Sequence, residues 1–281
     1  MRRLPKKLAA PRGIVRGPGR GPRDRARPTE LVRLEAPGDL AAYVEHLWIV
    51  RWQLGSGSID AQTLPHPSIH WTVEGAESEI HGVMRGSYVR TLEGNGRVVA
   101  VKFRPGGFCA FHDAPMTTLT DRRLPATRVL GPRAGRIART IAGTPDAEAA
   151  EHLCGVLRAH GPRPDPLATE AGEIVAGIAS DHTLTSVDAV CKRFALHPLA
   201  LQRLFRAKIG VTPKWVIQRY RMHEAVERLA ASAEKCEALS LAALAADLGF
   251  TDQAHFCRVF KTFIGEPPGA YLRKLASRRA G

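Results

Sequence analysis

Leu201-Gln202-Arg203-Leu204-Phe205-Arg206-Ala207-Lys208-Ile209-Gly210-Val211-Thr212-Pro213 and His255-Phe256-Cys257-Arg258-Val259-Phe260-Lys261-Thr262-Phe263-Ile264-Gly265-Glu266-Pro267-Pro268 are two versions of one pattern, displaced by a constant 55 residues. Arg203, Leu204, Phe205, Ile209, Gly210 and Pro213 recur as Arg258, Val259, Phe260, Ile264, Gly265 and Pro268. In each version apolar residues fall at helical spacing, with basic or polar residues between them. A glycine then stops the helix and a proline opens the next element. Upstream of each lies a short Ala/Val/Leu run, Val187 to Phe194 and Leu241 to Leu248, then a tight turn at Ala195-Leu196-His197 or Gly249-Phe250-Thr251. Short helix, three-residue turn and second helix make a helix-turn-helix. Two of them in fixed register, with matching arginines between core positions, point to DNA rather than to a hairpin duplicated to build a bundle.

A recognition helix buries one face on its partner and offers the other to base edges. Leu201, Leu204, Phe205 and Ile209 form the expected buried set of the first copy, leaving Pro198, Leu199, Gln202, Arg203 and Arg206 outward. In the second copy Phe256, Val259, Phe260 and Ile264 are inward, leaving Gln253, Ala254, His255, Cys257, Arg258 and Lys261. Early outward positions enter the groove most deeply. Arginine pairs bidentately with guanine and glutamine with adenine, while small apolar groups meet the thymine methyl. Gln202, Arg203, Gln253, His255 and Arg258 are therefore the expected base readers, and Arg206 and Lys261 the expected phosphate contacts. The competing explanation for Arg203 and Arg258 is a structural ion pair with a neighbouring helix. For His255 it is a solvated side chain or a phosphate contact. Between the copies, Lys214 to Ser232 reads as one long helix, which sets the two reading heads about one duplex turn apart.

Gly249-Phe250-Thr251-Asp252-Gln253-Ala254-His255-Phe256-Cys257-Arg258-Val259-Phe260-Lys261, followed by Gly265-Glu266-Pro267-Pro268, resembles the second-repeat signature of AraC/XylS-type transcription regulators. Residues 185–274 as a whole look like the DNA-binding domain of that family. By motif position the resemblance supports Leu199, Gln202, Arg203, Gln253, Ala254 and Arg258 as DNA contacts. It implies double-stranded DNA as partner, with RNA polymerase and a small-molecule effector as further candidates.

The net charge of +14 is unevenly spread. Residues 1–28 carry +9, residues 181–281 carry +7, and the middle, 29–180, carries −2. A basic surface over a helix-turn-helix suits phosphate contact. The Arg/Pro/Gly-rich stretch 1–28 has too little apolar content to offset its ordering entropy and reads as a disordered basic tail. It lacks the apolar core of a secretory signal. No apolar run approaches a membrane span, so no membrane role is expected. Five cysteines, odd in number and widely spaced, suggest neither a disulfide framework nor a zinc finger, which fits a reducing cytoplasm.

Residues 40–140 read as β-rich. Tyr43 to Trp52, Ile69 to Val73, Val83 to Arg90 and Val98 to Phe103 are the expected strands. Glu93-Gly94-Asn95-Gly96 is the expected hairpin turn between the last two. Tyr43-Val44-Glu45-His46-Leu47-Trp48, Leu64-Pro65 and Val101-Lys102-Phe103-Arg104-Pro105-Gly106-Gly107 resemble the N-terminal domain of a subgroup of the same family. That implies a small jelly-roll or cupin-like barrel with a sensor role. After Gly131-Pro132 the pattern turns helical, with Thr144 as expected N-cap and Pro145 at the first helical position. Ala147, Ala150, Leu153, Cys154 and Leu157 form a stripe able to pack on a second copy of the chain, making a homodimer, or to cover one face of the barrel. Three prolines in Gly161 to Pro166 mark a stiff linker.

The expected fold class is thus α+β with two domains. A β-rich regulatory domain with a C-terminal helix spans 29–160, and the linker spans 161–167. An all-α DNA-binding domain with two helix-turn-helix units spans 168–276. An enzyme is the main rival. His66 and His70 share one face of a strand, His81 follows, and Glu74, Glu77 and Glu79 lie near. Pro65 and Pro67 flank His66, however, and there is no His-x-His pair, so no metal and no cofactor are expected. Cys109 reads as a buried small hydrophobe rather than a nucleophile. Trp48, Trp52 and Trp71 either line a pocket or fill a core. A non-specific, nucleoid-type DNA binder leaves the register-matched helices unexplained.

Overall fold

The structure, a computed structural model, describes residues 29–235 and 239–277; the tail expected over 1–28 lies outside them. Six strands build one antiparallel sheet: β1 (Thr29–Glu35), β2 (Val44–Thr63), β3 (His70–Glu74), β4 (Glu77–His81), β5 (Tyr88–Phe103) and β6 (Arg123–Pro125), in the order β1-β2-β5-β3-β4-β6. This is a sheet with β1 and β6 at its ends. Its pairing does not show closure into the barrel the sequence suggested.

Alternation decides which face is covered. Leu47 and Ile49, Val99, Val101 and Phe103, Trp71 and Val73, and Ile80 are all buried. They point to the side where α1 (Thr127–Leu130), α2 (Pro132–Ile141) and α3 (Asp146–His160) pack. Each large apolar side chain fully buried there stabilises the fold by about 1.5–3 kcal/mol. Asp146, in the first turn of α3, accepts hydrogen bonds from Arg51 (2.6 Å) and Arg97 (3.0 Å), tying the helix start to β2 and β5. The stripe Ala150, Leu153, Cys154 and Leu157 is fully buried inside this layer. Its surface is therefore already used within one chain.

Three local expectations are corrected. Glu93 to Gly96 is no hairpin turn: it lies inside β5, opposite the Gly55–Ser58 stretch inside β2. The ladder shifts register there, between Gln53↔Asn95 and Ser58↔Glu93, so glycines expected to end strands bend two long paired strands instead. Of the expected strand Val83 to Arg90, residues 83–87 are irregular and only Tyr88 to Arg90 is strand, the start of β5; ahead of it lies the strand Glu77–His81, whose polar outward face hid it. Finally, Thr144 turns its hydroxyl back to the Ile141 carbonyl (3.0 Å), and Pro145 itself is the N-cap of α3.

The remaining helices are α4 (Pro166–Ser180), α5 (Val187–Phe194), α6 (Pro198–Lys208), α7 (Pro213–Lys235), α8 (Leu241–Asp247), α9 (Gln253–Ile264) and α10 (Pro268–Ser277). Gly161 to Pro166 does not hang free: Arg163 N donates to Ala110 O (2.9 Å), and Asp165 caps α4 and pairs with Lys208 (2.6 Å). Among the described residues two large apolar cores result, beside a small cluster of Trp52, Leu92 and Val98. One runs without a break from the sheet through α4–α6 to Val216 and Ile217; the other joins Met222, Val226 and Leu229 of α7 to α8–α10. Helix α7 therefore belongs half to each, with Trp215 packed against both. No described helix is long and apolar enough to cross a membrane.

Candidate nucleic-acid interface

Both helix-turn-helix units are assembled by the same local devices. Ser186 caps α5 by accepting from Ala189 N (3.1 Å), and Ser240 caps α8 by accepting from Ala243 N (3.3 Å). His197 Nδ1 accepts from Leu199 N (3.3 Å) at the start of α6, and Asp252 accepts from His255 N (2.6 Å) at the start of α9. The first-helix caps are 54 residues apart and the second-helix caps 55, so the second unit is one residue longer from cap to cap, and with α8 one residue shorter than α5 its turn is two residues longer. That turn is Leu248 to Asp252, not the three residues expected.

Each turn needs one left-handed residue. The second unit uses Gly249 (φ +69°), whereas the first uses Ala195 (φ +52°). The left-handed conformation costs a non-glycine residue about 1–2 kcal/mol, against roughly 0.5–1 kcal/mol of extra chain entropy for glycine. Ala195 is exposed, so Ala195→Gly is expected to stabilise the chain by about 0.5–1 kcal/mol. A denaturant midpoint that falls in this variant would show that the turn is unstrained.

The inward sets lie as expected. Leu201, Phe205 and Ile209, and Phe256, Phe260 and Ile264, are buried, while Leu204 and Val259 are half-buried. On the opposite face of α6, Leu199, Gln202, Arg203 and Arg206 are exposed at i, i+3, i+4, i+7. On α9 the equivalent row is Ala254, Cys257, Arg258 and Lys261, with Gln253 beside it; only Cys257 is half-buried. Leu199 leaves 49% of its surface in solvent, an exposed leucine where a methyl-reading group would sit. Among the described residues, no carboxylate lies within ion-pair distance of Arg203, Arg206, Arg258 or Lys261. The structural ion pair for the two matched arginines is therefore not formed, and four cations face outward uncompensated. His255 is different: it is half-buried, edge-on to Phe250 with ring centroids 5.3 Å apart, and 3.5 Å from Thr251 Oγ1.

The long helix between the units is α7, whose 23 residues span about 34 Å, one duplex turn. Behind both recognition helices stands the N-terminal domain. At the end of α6, Thr120 donates to Gly210 O (2.6 Å) and Cys109 Sγ to Lys208 O (3.4 Å). At the end of α9, Gln62 donates to Ile264 O. Between them the buried Arg219 of α7 donates to Pro65 O (2.8 Å) and to His66 Nε2 (2.6 Å). These contacts were not legible in the sequence, since each joins residues about 90 or more apart.

The residues weighed for chemistry go elsewhere. His66 accepts from Arg219, His70 Nδ1 accepts from Trp48 Nε1 (3.3 Å), and His81 Nε2 meets Thr72 Oγ1 (2.9 Å). Burial pushes the Cys109 thiol up to about 11, the reverse of what a nucleophile needs. Trp71 is fully buried in the core. Trp52 packs with Leu92 and Val98 and donates to Glu93 O (3.0 Å).

Two family models fall on the two parts of the chain described above. Residues 190–274 match the family described as a helix-turn-helix domain, and residues 32–125 match a domain of unknown function. No curated protein matches the chain. Among solved structures, the C-terminal domain of AraT, a response regulator from Geobacillus stearothermophilus, is 21% identical; the match covers 40% of this chain and 88% of that one, with a TM-score of 0.33. A structure of ToxT from Vibrio cholerae is 12% identical over 87% of this chain and 97% of that one, with a TM-score of 0.37. With the family match laid over the two register-matched units, residues 190–274 are the helix-turn-helix domain of a DNA-binding transcription regulator.

Proposed function

We propose that α6 and α9 enter successive major-groove segments on one face of a duplex, with Leu199, Gln202 and Arg203, then Gln253, Ala254 and Arg258, toward the base edges. Arg206 and Lys261 hold phosphates, and His255 serves beside them. One observation carries this reading: the same helix face is exposed in both units, and its cations have no carboxylate partner. The N-terminal domain over 29–160, cupin-like in the resemblance, acts as the sensor for the reading domain over 168–276. Its hydrogen bonds to the ends of both recognition helices support that coupling. RNA polymerase and a second copy of the chain are further partners in this reading, in the cytoplasm.

Arg203→Ala and Arg258→Ala test it. Each variant is expected to relax base preference at one position, the two positions lying about one duplex turn apart, with roughly 1–3 kcal/mol of discrimination lost at each. Selection from a random DNA pool, followed by competition binding at two salt concentrations, reads this out. A uniform loss of affinity with unchanged preference, and a shallower salt dependence, would reassign the arginines to phosphate contact.

A further inference from the structure

On the sheet face turned away from α2 and α3, the ladder registers place one ionisable residue from each of five strands in a single row: His46, Lys102, His70, His81 and Arg123. The next row toward the β3–β4 turn holds Thr72 and Glu79, and the one after it Glu74 and Glu77. Over the β4 end of these rows, Tyr88 to Thr91 at the start of β5 and Arg123 complete a cavity of about 320 Å³. Val89 aside, every residue lining it is polar or charged. Its volume lies at the small end of ligand sites, roughly 300–1,000 Å³.

The charges in this cavity do not cancel. Arg90 pairs with Glu74 through both guanidinium nitrogens, which disposes of one cation and one anion. Arg123 donates to the Tyr88 hydroxyl and lies 4.9 Å over its ring, but among the described residues it has no carboxylate within ion-pair distance. Glu77 has no cation within that distance either. Glu79 has only His81, 3.6 Å away. Desolvation, helped by Arg123 and Arg90, lowers the His81 pKa to about 4, so that ring is neutral at pH 7 and leaves Glu79 uncompensated. The cavity therefore presents one unmatched guanidinium and two unmatched carboxylates. They stand in order along the strands, with Arg123 opposite His81, Glu79 one row on and Glu77 a second row on, each row about 7 Å from the last.

We propose that this cavity binds a basic amino acid, its carboxylate on Arg123, its α-ammonium toward Glu79 and its side-chain cation toward Glu77. The idea rests on the sensor reading of the N-terminal domain and gives it a ligand class. A molecule with one anionic and two cationic centres is the charge complement of the lining. An acyl chain or an aromatic acid leaves both carboxylates desolvated and unpaired, which disfavours such ligands.

Calorimetric titration of the full chain with L-lysine, L-ornithine and L-arginine tests this, with L-norleucine lacking the side-chain cation and 1,5-diaminopentane lacking the carboxylate. At least one of the three amino acids is expected to bind saturably, and each truncated analogue at least tenfold more weakly. Arg123→Gln is expected to abolish the preference over the diamine while keeping that over norleucine, and Arg123→Lys to restore it. Glu77→Gln with Glu79→Gln is expected to show the converse. Silence with all three amino acids, or preferences unmoved by either variant, overturns the proposal. Affinity for DNA selected by the chain is measured alongside. Binding that leaves DNA affinity unchanged supports the cavity and counts against the sensor reading alone.

Discussion

Replacing Leu153 and Leu157 together by glutamate is expected to unfold the N-terminal domain rather than to release monomers from a dimer. Both leucines are fully buried within the chain's own core, on the side of α3 that packs against β5, α1 and α2. Two carboxylates placed there have no partner, and each unpaired buried charge costs several kcal/mol even after relaxation. The sum is comparable with the whole stability of a domain, about 5–15 kcal/mol. Leu153→Ala and Leu157→Ala provide the graded comparison, at about 2–5 kcal/mol each. Circular dichroism and sedimentation of the purified variants check this. A double variant that melts cooperatively and sediments as a lighter species than the parent would restore α3 as a dimer face.

Acidification from pH 7 to pH 5 is expected to destabilise the chain by about 4 kcal/mol or more, through histidines that fold in the neutral form. His66 lies between Pro65 and Pro67 and accepts a hydrogen bond from Arg219; burial first, then the charges of Arg219 and Lys102, holds its pKa well below the usual histidine value. His70 is enclosed between Lys102 and His81 and is lowered to about 3, chiefly by desolvation. His81 is lowered to about 4. A folded-state value below the unfolded one means that neither state binds the proton above pH ~6.5, so full stability is present there. As pH falls below that point the unfolded chain takes up protons that the folded chain refuses. His70 and His81 then cost about 2 kcal/mol each by pH 5, and His66 adds in the same direction. Glu45, held at about 2 with His46 and Lys102 as its hydrogen-bond partners, loses its contribution only between pH ~4.5 and ~2, outside this window. Urea titrations at the two pH values measure the difference, and His66→Gln is expected to remove part of it. Equal stabilities at pH 7 and pH 5 would mean that these rings are already charged in the folded chain. Since His66 holds α7, the same titration is expected to loosen the contact between the sheet and the reading helices before the second apolar core opens.

The reading helices were legible in the sequence because their determinants are local. Apolar spacing, a capping serine or aspartate and a stopping glycine all act within a few residues, so the pattern from Leu201 to Pro213 and its copy 55 residues later had the structure they implied. The inward and outward faces of α6 and α9 followed from the same periodicity. Even there, the longer turn of the second unit was not legible, because alignment on the recognition helices hides a shift upstream of them.

The sheet was legible only in outline. Glycine-rich stretches at Gly55–Ser58 and Glu93–Gly96 look like turns in isolation, and only their mutual pairing turns them into a shared bend. The stripe on α3 suits a partner helix or a sheet equally well, and the choice between them depends on which surface reaches it first in three dimensions. Tertiary structure alone decided three further things: the row from His46 to Arg123, the unmatched charges facing one cavity, and the bonds from Thr120, Cys109 and Gln62 to the recognition helices. Each depends on strand register or on contacts across dozens to two hundred residues, and no local preference of the chain encodes such a pairing.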